Sequence, residues 1–210
     1  MNIAGIKAVV FDCDGVMFDT AQANRAYYNE VLKAYHKPLL TEPQFINVHM
    51  MTVKGAIEYL FPERKHLQDV FQSMKAIGYH KFIRYMEMED GLVELLEALE
   101  KNGYIRGIGT NRTNTMEQVL IDFNLKSCFD IVVTAADVKH PKPAPDQLVL
   151  IMDRLGLNAS DILFIGDSDF DCQAARAAGV GFVAFKNPEL EADFTVNSMA
   201  EIAGILQIKQ

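Results

Sequence analysis

Long hydrophobic runs are absent from this sequence, and their absence argues against a membrane-spanning protein. No apolar stretch in the 210 residues approaches the length that a bilayer requires. The first apolar run, 6–11, is also too short for a signal peptide, because it meets Asp12 directly. We therefore expect a cytoplasmic protein with no membrane partner.

Cysteine is scarce as well. The three thiols, Cys13, Cys128 and Cys172, form no CxxC or other paired spacing, and their number is odd. A disulfide framework would need a paired set, so the pattern predicts buried thiols in a reducing compartment.

Basic residues are outnumbered by acidic ones: 20 Lys and Arg face 28 Asp and Glu, for a formal net charge of −8. Neither nucleic acid nor an anionic membrane offers counter-charge to such a surface, so we expect no nucleic-acid partner. A small anionic substrate is compatible with this charge wherever Lys, Arg, amide groups or a metal ion supply positive charge locally. The apolar half of the residues is enough for a sizeable core.

Alternating strand and helix patterns indicate an α/β protein. Strands that alternate with helices predict right-handed βαβ units and a mostly parallel sheet. Helical spacing of apolar residues predicts helices over 92–99, 116–123 (opened by a capping box of Asn114 and Glu117), 146–155 and 169–178. Short apolar runs predict buried strands at 6–11, 104–109, 130–134, 161–166 and 180–185, with a weaker candidate at 193–196.

The segment 20–90 departs from this alternation because it contains helical patterns and no convincing strand. The simplest interpretation is an all-helical insert between the first strand and the rest of the sheet, with hinges near 19–21 and 88–91. The helical patterns of this segment cover 21–35, 43–51, 53–60 and 67–86.

Two carboxylates follow the first predicted strand directly. Side chains two apart on a strand point to the same side, so Asp12 and Asp14 can serve one reaction site. Gly15 lets the backbone turn away at once. Like charges held together at a strand end are costly unless a cation or a shared proton offsets them. The pair therefore predicts either a site for a hard cation or an acid/base pair.

Three further polar segments occur at the carboxyl ends of later strands or just beyond them. Thr110-Asn111 offers a hydroxyl, an amide and backbone N–H groups to an anion, although such a pair before a helix is also a common cap. Lys142 lies in a loop stiffened by prolines. Asp167 and Asp171 lie one helical turn apart and suit the oxygen ligands that Mg²⁺ prefers, or a helix cap. Open parallel sheets bind ligands at this edge.

With these segments in this order, the chain resembles the haloacid dehalogenase superfamily, in its phosphatase branch. The matching motifs are Asp12-Cys13-Asp14-Gly15-Val16, Thr110-Asn111, Lys142 within Lys-Pro-Ala-Pro-Asp, and Gly166-Asp167-Ser168 with Asp171. The resemblance covers essentially the whole chain. It implies an α/β fold in which a Rossmann-like parallel-sheet core, 1–19 and 91–210, carries an inserted all-helical cap domain, 20–90.

The resemblance also implies roles for single residues. Asp12 would attack phosphorus and form an aspartyl phosphate, while Asp14 would protonate the leaving group and later activate water. Mg²⁺ would be held by the Asp12 carboxylate, the Asp14 carbonyl and Asp167, with Asp171 acting through a water molecule or behind the direct ligands. The transferring phosphoryl oxygens would be bound by Thr110, the Asn111 amide and Lys142.

The implied activity is hydrolysis of a small phosphorylated metabolite, as in phosphoglycolate phosphatase-like members, by a monomer or homodimer. A dehalogenase lacks the second aspartate, so Asp14 favours phosphate esters. Two alternatives remain: a β-phosphoglucomutase-like phosphosugar mutase and a non-catalytic regulatory protein on the same fold. In the mutase a Lys-Gly pair opens a cap loop and an arginine follows three residues later, whereas this chain has Lys54-Gly55 and then Glu58.

Other polar residues are weaker candidates. His49, Lys54 and Arg64 are candidate substrate contacts in the cap, although solvated surface side chains are the favoured interpretation of each. We interpret His140 as an exposed loop residue and Cys13 as a packing residue that faces away from the aspartates.

Overall fold

The structure, a computed structural model, describes residues 3–49, 51–63 and 67–208. The chain forms two compact units. The first comprises the chain up to Asp19 together with the chain from Glu87 onward, and the second comprises Thr20–Met86. Residues 87–90, which we assigned to the insert from the sequence, lie in the first unit.

The first unit is built on a sheet of six strands, all paired in parallel, in the order β5-β4-β1-β6-β7-β8. The α/β prediction is confirmed, and each predicted strand is present within two residues of its expected bounds. The strands in chain order are β1 (Ala8–Phe11), β2 (Phe18–Asp19), β3 (Glu87–Met88), β4 (Ile105–Thr110), β5 (Ile131–Thr134), β6 (Ile162–Gly166), β7 (Gly181–Phe185) and β8 (Phe194–Val196).

Strand β1 lies at the centre of this sheet, where the direction of strand addition reverses. From β1 the chain adds β4 and β5 on one side and then returns to add β6 on the other. All residues of β1 and β6 are buried, which explains why both segments are continuously apolar. Because Phe11 pairs with Ile108 and with Ile165, the residues that follow the three strands meet at one edge.

Helices in the first unit are α5 (Leu92–Lys101), α6 (Met116–Asp122), α7 (Asp146–Leu155), α8 (Asp169–Ala178) and α9 (Met199–Ile205). Both α7 and α8 have the predicted bounds, and each ends at a left-handed glycine, Gly156 or Gly179. The capping box predicted for α6 is wrong. That helix begins after Thr115 without a side-chain cap, and Asn114 accepts a hydrogen bond from the Thr113 hydroxyl instead.

Strands β2 and β3 form a separate antiparallel pair, in which Phe18 lies opposite Met88 and Asp19 opposite Glu87. The hinges expected from the sequence, at 19–21 and 88–91, overlap this pair at Asp19 and Met88. Two residues are too short a run to produce an alternating pattern, so periodicity contains no signal for such a pair.

The second unit is helical and has a hydrophobic core of its own. Its helices are α1 (Ala21–Ala34), α2 (Glu42–His49), α3 (Val53–Leu60) and α4 (Gln68–Ile77), followed by a 3₁₀ segment, Tyr79–Tyr85. The single helix predicted over 67–86 is therefore interrupted. Gly78 has φ of 74°, a left-handed conformation that ends α4 and favours glycine.

Within the described residues, no helix is both long enough and apolar enough to cross a membrane.

Candidate active site

The turn after β1 brings two of the predicted acids to the edge of the sheet. The backbone N–H of Asp12 donates to the Ile165 carbonyl at 2.9 Å and so continues the pairing with β6. Gly15 then turns the chain with φ of 77°, and a Cβ there would lie 2.0 Å from the Asp167 Oδ2 atom. Only glycine therefore allows this turn to approach the Asp167 carboxylate so closely.

Three of the predicted acids form one cluster. Carboxylate oxygens of Asp12, Asp167 and Asp171 all lie within 4.8 Å of one another. Burial, with the charges of Asp171 and Asp14, raises the pKa of Asp12 to about 6 despite the opposing effect of Lys142. Burial and the charges of Asp12 and Asp171 raise the pKa of Asp167 to about 8. The ionised acids repel one another, and a hard cation with oxygen ligands would relieve that repulsion, so the donor set fits Mg²⁺.

Lys142 supplies a fixed positive charge to this cluster. Its ammonium lies 2.7 Å from Asp12 Oδ1 and 2.6 Å from Asp171 Oδ1, and its side chain is 3% exposed. The contact with Asp12 is an ion pair without hydrogen-bond geometry, whereas the ammonium donates a hydrogen bond to Asp171. Burial alone would lower the pKa of Lys142, but the two carboxylates raise it overall, so the side chain is charged.

Asp171 connects the lysine to the start of α8. Its Oδ2 atom accepts from the Ser168 backbone N–H at 3.0 Å and from the Ser168 hydroxyl at 2.5 Å, while Oδ1 accepts from Lys142. Ser168 and Asp171 thus form a capping box. Because both oxygens of Asp171 have protein partners, this acid is better suited to holding Lys142 than to direct coordination of a metal ion.

The Asn111 side chain has a contact that the sequence did not predict. Binding of phosphoryl oxygens by its amide stays a prediction. The structure shows that Nδ2 donates to the Lys142 carbonyl at 2.9 Å, while Oδ1 accepts from the Lys142 N–H at 3.0 Å. The amide therefore ties the loop after β4 to the loop that carries Lys142, and so it fixes the position of the lysine.

Thr110 lies at the end of β4 and is buried. Its Oγ1 atom accepts from the Arg112 backbone N–H at 3.2 Å, and its carbonyl accepts from Gln147 Nε2 at 2.6 Å. The hydroxyl hydrogen can donate to an anion. Gln147 is fully buried in α7 and was missed by the sequence analysis, because the pattern of α7 gives no sign of its contact with β4.

Asp14 has a partner that the sequence analysis also missed. Arg112 Nε donates to Asp14 Oδ2 at 2.8 Å, and Nη2 donates to Oδ1 at 2.5 Å. The only signal in the sequence is a basic residue directly after Thr110-Asn111.

Burial raises the pKa of the neighbouring Cys13 thiol, and the resulting neutral thiol agrees with the interpretation of Cys13 as a packing residue.

The carbonyl of Asp167 also has a fixed partner, Asn187 Nδ2, at 2.8 Å. Asn187 follows β7, and nothing in its sequence context pointed to the site.

His140, by contrast, is held by Asp146: its N–H and its Nδ1 each lie 3.1 Å from Asp146 Oδ2. This contact is local to the start of α7.

The weaker candidates lie in the helical unit. Lys54 and Gly55 both lie in the first turn of α3, within the helix predicted over 53–60, and Thr52 Oγ1 accepts from the Gly55 N–H. The Lys54 ammonium lies 3.7 Å from Glu58 on the exposed surface of that helix. His49 ends α2, and its Nδ1 lies 3.3 Å from Asn24 Nδ2. Arg64 lies outside the described residues.

Comparison with known proteins gives a consistent result. The sequence model of the haloacid dehalogenase-like hydrolase family matches residues 9–185. Pyrophosphatase PpaX of Bacillus velezensis is 30% identical over 178 residues, which cover 83% of this chain and 80% of that protein. Phosphoglycolate phosphatase of Salmonella typhi is 29% identical over 202 residues, which cover 85% of this chain and 80% of that protein.

A solved structure is also similar over nearly its whole length. The HAD-superfamily hydrolase of subfamily IA, variant 1, from Geobacter sulfurreducens has a TM-score of 0.85 and 38% identity, and the match covers 96% of this chain and 97% of that one.

Proposed function

The chain belongs to the haloacid dehalogenase-like hydrolases, and on that premise we propose that it is a Mg²⁺-dependent phosphomonoester hydrolase. The substrate is a small phosphorylated metabolite, and Asp12 is the nucleophile of the enzyme. The observation that carries the proposal is the cluster of Asp12, Asp167 and Asp171, in which the buried ammonium of Lys142 contacts Asp12 and Asp171. Ligands for a cation beside a fixed positive charge suit phosphoryl transfer, which depends on positioning and charge cancellation.

In the first step the Asp12 carboxylate attacks phosphorus. A bond from its oxygen to phosphorus forms while the bond from phosphorus to the leaving oxygen breaks. Asp14 gives its proton to the leaving oxygen, so the product departs as a neutral alcohol. The N–H of Asp12 is fixed on Ile165, which keeps the nucleophile at the end of β1.

In the second step water attacks the phosphorus of the aspartyl phosphate. Asp14, now a carboxylate, takes a proton from that water, and the bond between Asp12 and phosphorus breaks. Inorganic phosphate leaves and the Asp12 carboxylate is restored. The proton that Asp14 gave in the first step is recovered in the second.

The carboxylates of Asp12 and Asp167, with the Asp14 carbonyl, would hold Mg²⁺, which when bound supplies positive charge to the phosphoryl oxygens. Asp171 stands behind these ligands and holds Lys142. The Lys142 ammonium and the Thr110 hydroxyl bind phosphoryl oxygens, and the Asn111 side chain acts by fixing the Lys142 backbone.

Relatives support a small substrate, since the two compared above are named for pyrophosphate and phosphoglycolate. We propose phosphoglycolate-like monoesters as the substrate class. The mutase alternative receives no support from Lys54 and Glu58, because these residues pair with each other on a helix. Neither residue marks a loop that would grip a second phosphate.

Hydrolysis assays with purified protein test the proposal. The substrates are 4-nitrophenyl phosphate, 2-phosphoglycolate, pyrophosphate and β-glucose 1-phosphate with a bisphosphate primer. We expect phosphate release that needs Mg²⁺, that stops with a chelator and that falls by at least about 10³-fold in Asp12→Asn. The matched control is Asp122→Asn, a change in an exposed carboxylate of α6, which should leave the rate unaltered.

Four results would contradict the proposal. Undiminished phosphate release by Asp12→Asn would show that Asp12 is not the nucleophile. Phosphate release unaffected by chelation would show that the reaction does not need a metal ion. Isomerised sugar phosphate without phosphate release would favour the mutase, and a protein inert on every ester would favour a non-catalytic role.

A further inference from the structure

Arg112 forms a two-pronged contact with Asp14 at the edge of the site. Its Nε and Nη2 atoms donate to the two carboxylate oxygens at 2.8 and 2.5 Å. A guanidinium group that meets both oxygens of a carboxylate restricts its orientation as well as its position. The partners lie 98 positions apart in the chain, so the contact joins the turn after β1 to the loop after β4.

The two members of the pair differ in exposure. The side chain of Arg112 is 7% exposed and that of Asp14 is 40% exposed. The arginine is therefore buried, whereas the carboxylate that it contacts is exposed. This contact leaves Asp14 accessible to a substrate while limiting the rotamers that it can adopt.

The backbone of Arg112 is itself fixed. Its N–H donates to Thr110 Oγ1 at 3.2 Å, and its carbonyl accepts from the Ala135 N–H at 2.9 Å. Its Nη1 atom lies 3.4 Å from Thr115 Oγ1. Contacts with the loop after β4 and with the residue after β5 thus anchor the guanidinium before any substrate arrives.

We infer that Arg112 is a positioning residue that aims the Asp14 carboxyl group at the leaving oxygen, an inference that rests on the proposed function. When one carboxyl oxygen carries the proton, the other still accepts from the guanidinium, so the group keeps its direction in both steps. In the first step that proton moves to the leaving oxygen as its bond to phosphorus breaks. In the second, a proton from the attacking water returns to Asp14.

The leaving group distinguishes this role from a general structural one. An alkoxide is a poor leaving group and needs the proton, whereas 4-nitrophenolate leaves readily without one. A misdirected Asp14 should therefore slow the first step far more for alkyl phosphates than for aryl phosphates. The second step needs Asp14 for every ester, so the esters are compared by kcat/KM, which does not contain that step.

The chain offers a matched control on the strand that precedes Arg112. Arg106 in β4 is also buried, with a side chain 8% exposed, and its Nε and Nη2 donate to the two oxygens of Asp130 at 3.2 and 3.3 Å. Neither Arg106 nor Asp130 belongs to the acid cluster. Arg106→Gln breaks a buried arginine–aspartate pair of the same kind without touching Asp14.

The experiment measures kcat and KM of Arg112→Gln, Arg112→Lys and Arg106→Gln on ethyl phosphate, 2-phosphoglycolate and 4-nitrophenyl phosphate. We expect Arg112→Gln to lose about 10²-fold or more in kcat/KM on both alkyl esters and less than about 10-fold in kcat/KM on the aryl ester, because kcat/KM reports formation of the aspartyl phosphate and not its hydrolysis. Arg112→Lys should lie between, because a lysine keeps the charge but not the fork. Arg106→Gln should leave the alkyl-to-aryl ratio at its wild-type value.

A double-mutant cycle supplies a second readout that does not depend on turnover. If the side chains contact each other as described, the melting-temperature losses of Arg112→Gln and Asp14→Asn in metal-free protein will not add. The alkyl-to-aryl ratio of the double variant should equal that of Asp14→Asn alone.

Several outcomes would overturn the inference. Equal losses in kcat/KM on all three esters would make Arg112 structural. A loss confined to 2-phosphoglycolate, mainly in KM, would make it a binding residue for the anionic leaving group. Additive melting-temperature losses would show that the Arg112 and Asp14 side chains do not contact each other. A wild-type protein inert on all three esters would instead reject the proposed function, and this inference with it.

Discussion

At the scale of single residues, Lys142 carries the electrostatics of the site. It is the buried cation between Asp12 and Asp171, and its charge offsets a repulsion that those acids would otherwise exert on each other. Removal of one member of a buried charged group leaves the remaining charges desolvated and uncompensated, which costs more than the group contributes when intact.

Lys142→Met preserves most of the side-chain volume and removes the charge. We expect the metal-free variant to lose about 3–5 kcal/mol of unfolding free energy, and the variant with Mg²⁺ to lose hydrolysis. Urea unfolding in the presence of a chelator measures the change. The control is Lys126→Met, because Lys126 and Glu117 form an exposed pair, 64% and 72% accessible, and should lose less than about 1 kcal/mol. Equal losses in the two variants would contradict the account of Lys142.

Some residues of the site could be predicted from the sequence and others could not. Asp12, Asp167 and Lys142 were identifiable because each follows a strand or stands in a stiffened loop. The partners Arg112, Gln147 and Asn187 were not identified, because each acts on a group that is distant in the chain and reached only through the sheet. Asn111 was identified, but its contact with the Lys142 backbone was not.

At the scale of elements, the start of α8 couples helix capping to the site. Ser168 caps the helix, and its hydroxyl also fixes the Asp171 carboxylate that holds Lys142. One serine therefore contributes to both stability and the position of the lysine. The cap of α9 is a useful comparison, since Ser198 accepts from Glu201 N–H in the same way and has no such contact with the acid cluster.

Ser168→Ala and Ser198→Ala should each cost about 1 kcal/mol of unfolding free energy, because each removes an N-cap side chain. Only Ser168→Ala should also reduce kcat, by about 10-fold, since it removes one of the two hydrogen bonds that residue 168 donates to Asp171 Oδ2. Thermal unfolding and 4-nitrophenyl phosphate hydrolysis measure the two effects. A similar kcat in both variants would show that Ser168 acts only as a cap.

Local signals explain which elements were predictable. The bounds of α7 and α8 followed from Pro145, from the acids in their first turns and from the glycines that end them. The segment 67–86 was read as one helix because its apolar spacing continues past Gly78, whose left-handed conformation depends on the fold. The pair of β2 and β3 left no periodic signal at all.

At the scale of the whole molecule, the reversal of strand order around β1 brings the acids together. Their burial and mutual repulsion lower the stability of the metal-free protein when they are ionised. In the folded metal-free protein, burial raises the pKa of Asp12 to about 6 and that of Asp167 to about 8, above the ordinary value of 3.8. The folded state therefore holds these protons more tightly than the unfolded state does. Folding is favoured at low pH and loses free energy as the pH rises from 3.8 to about 8.

Metal-free protein should accordingly lose stability between pH about 5 and about 8, whereas Asp167→Asn should show a flatter profile. Saturating Mg²⁺ should restore stability to the wild type most strongly at the upper end of this range, because the cation binds the ionised acids. Urea midpoints across the range, with chelator or with Mg²⁺, measure this. A wild-type stability profile as flat as that of Asp167→Asn would show that ionisation of these acids does not destabilise the folded protein.

The central claim is that Asp12 becomes phosphorylated during turnover, and Asp14→Asn offers the most direct test. With 4-nitrophenyl phosphate and Mg²⁺ this variant should still form the intermediate, since the leaving group needs no proton, but it should hydrolyse it slowly for lack of a base. Acid quenching, proteolysis and mass spectrometry should then find one phosphoryl group on the peptide that contains Asp12. Release of 4-nitrophenolate with that peptide unmodified, or with the phosphoryl group elsewhere, would contradict the account.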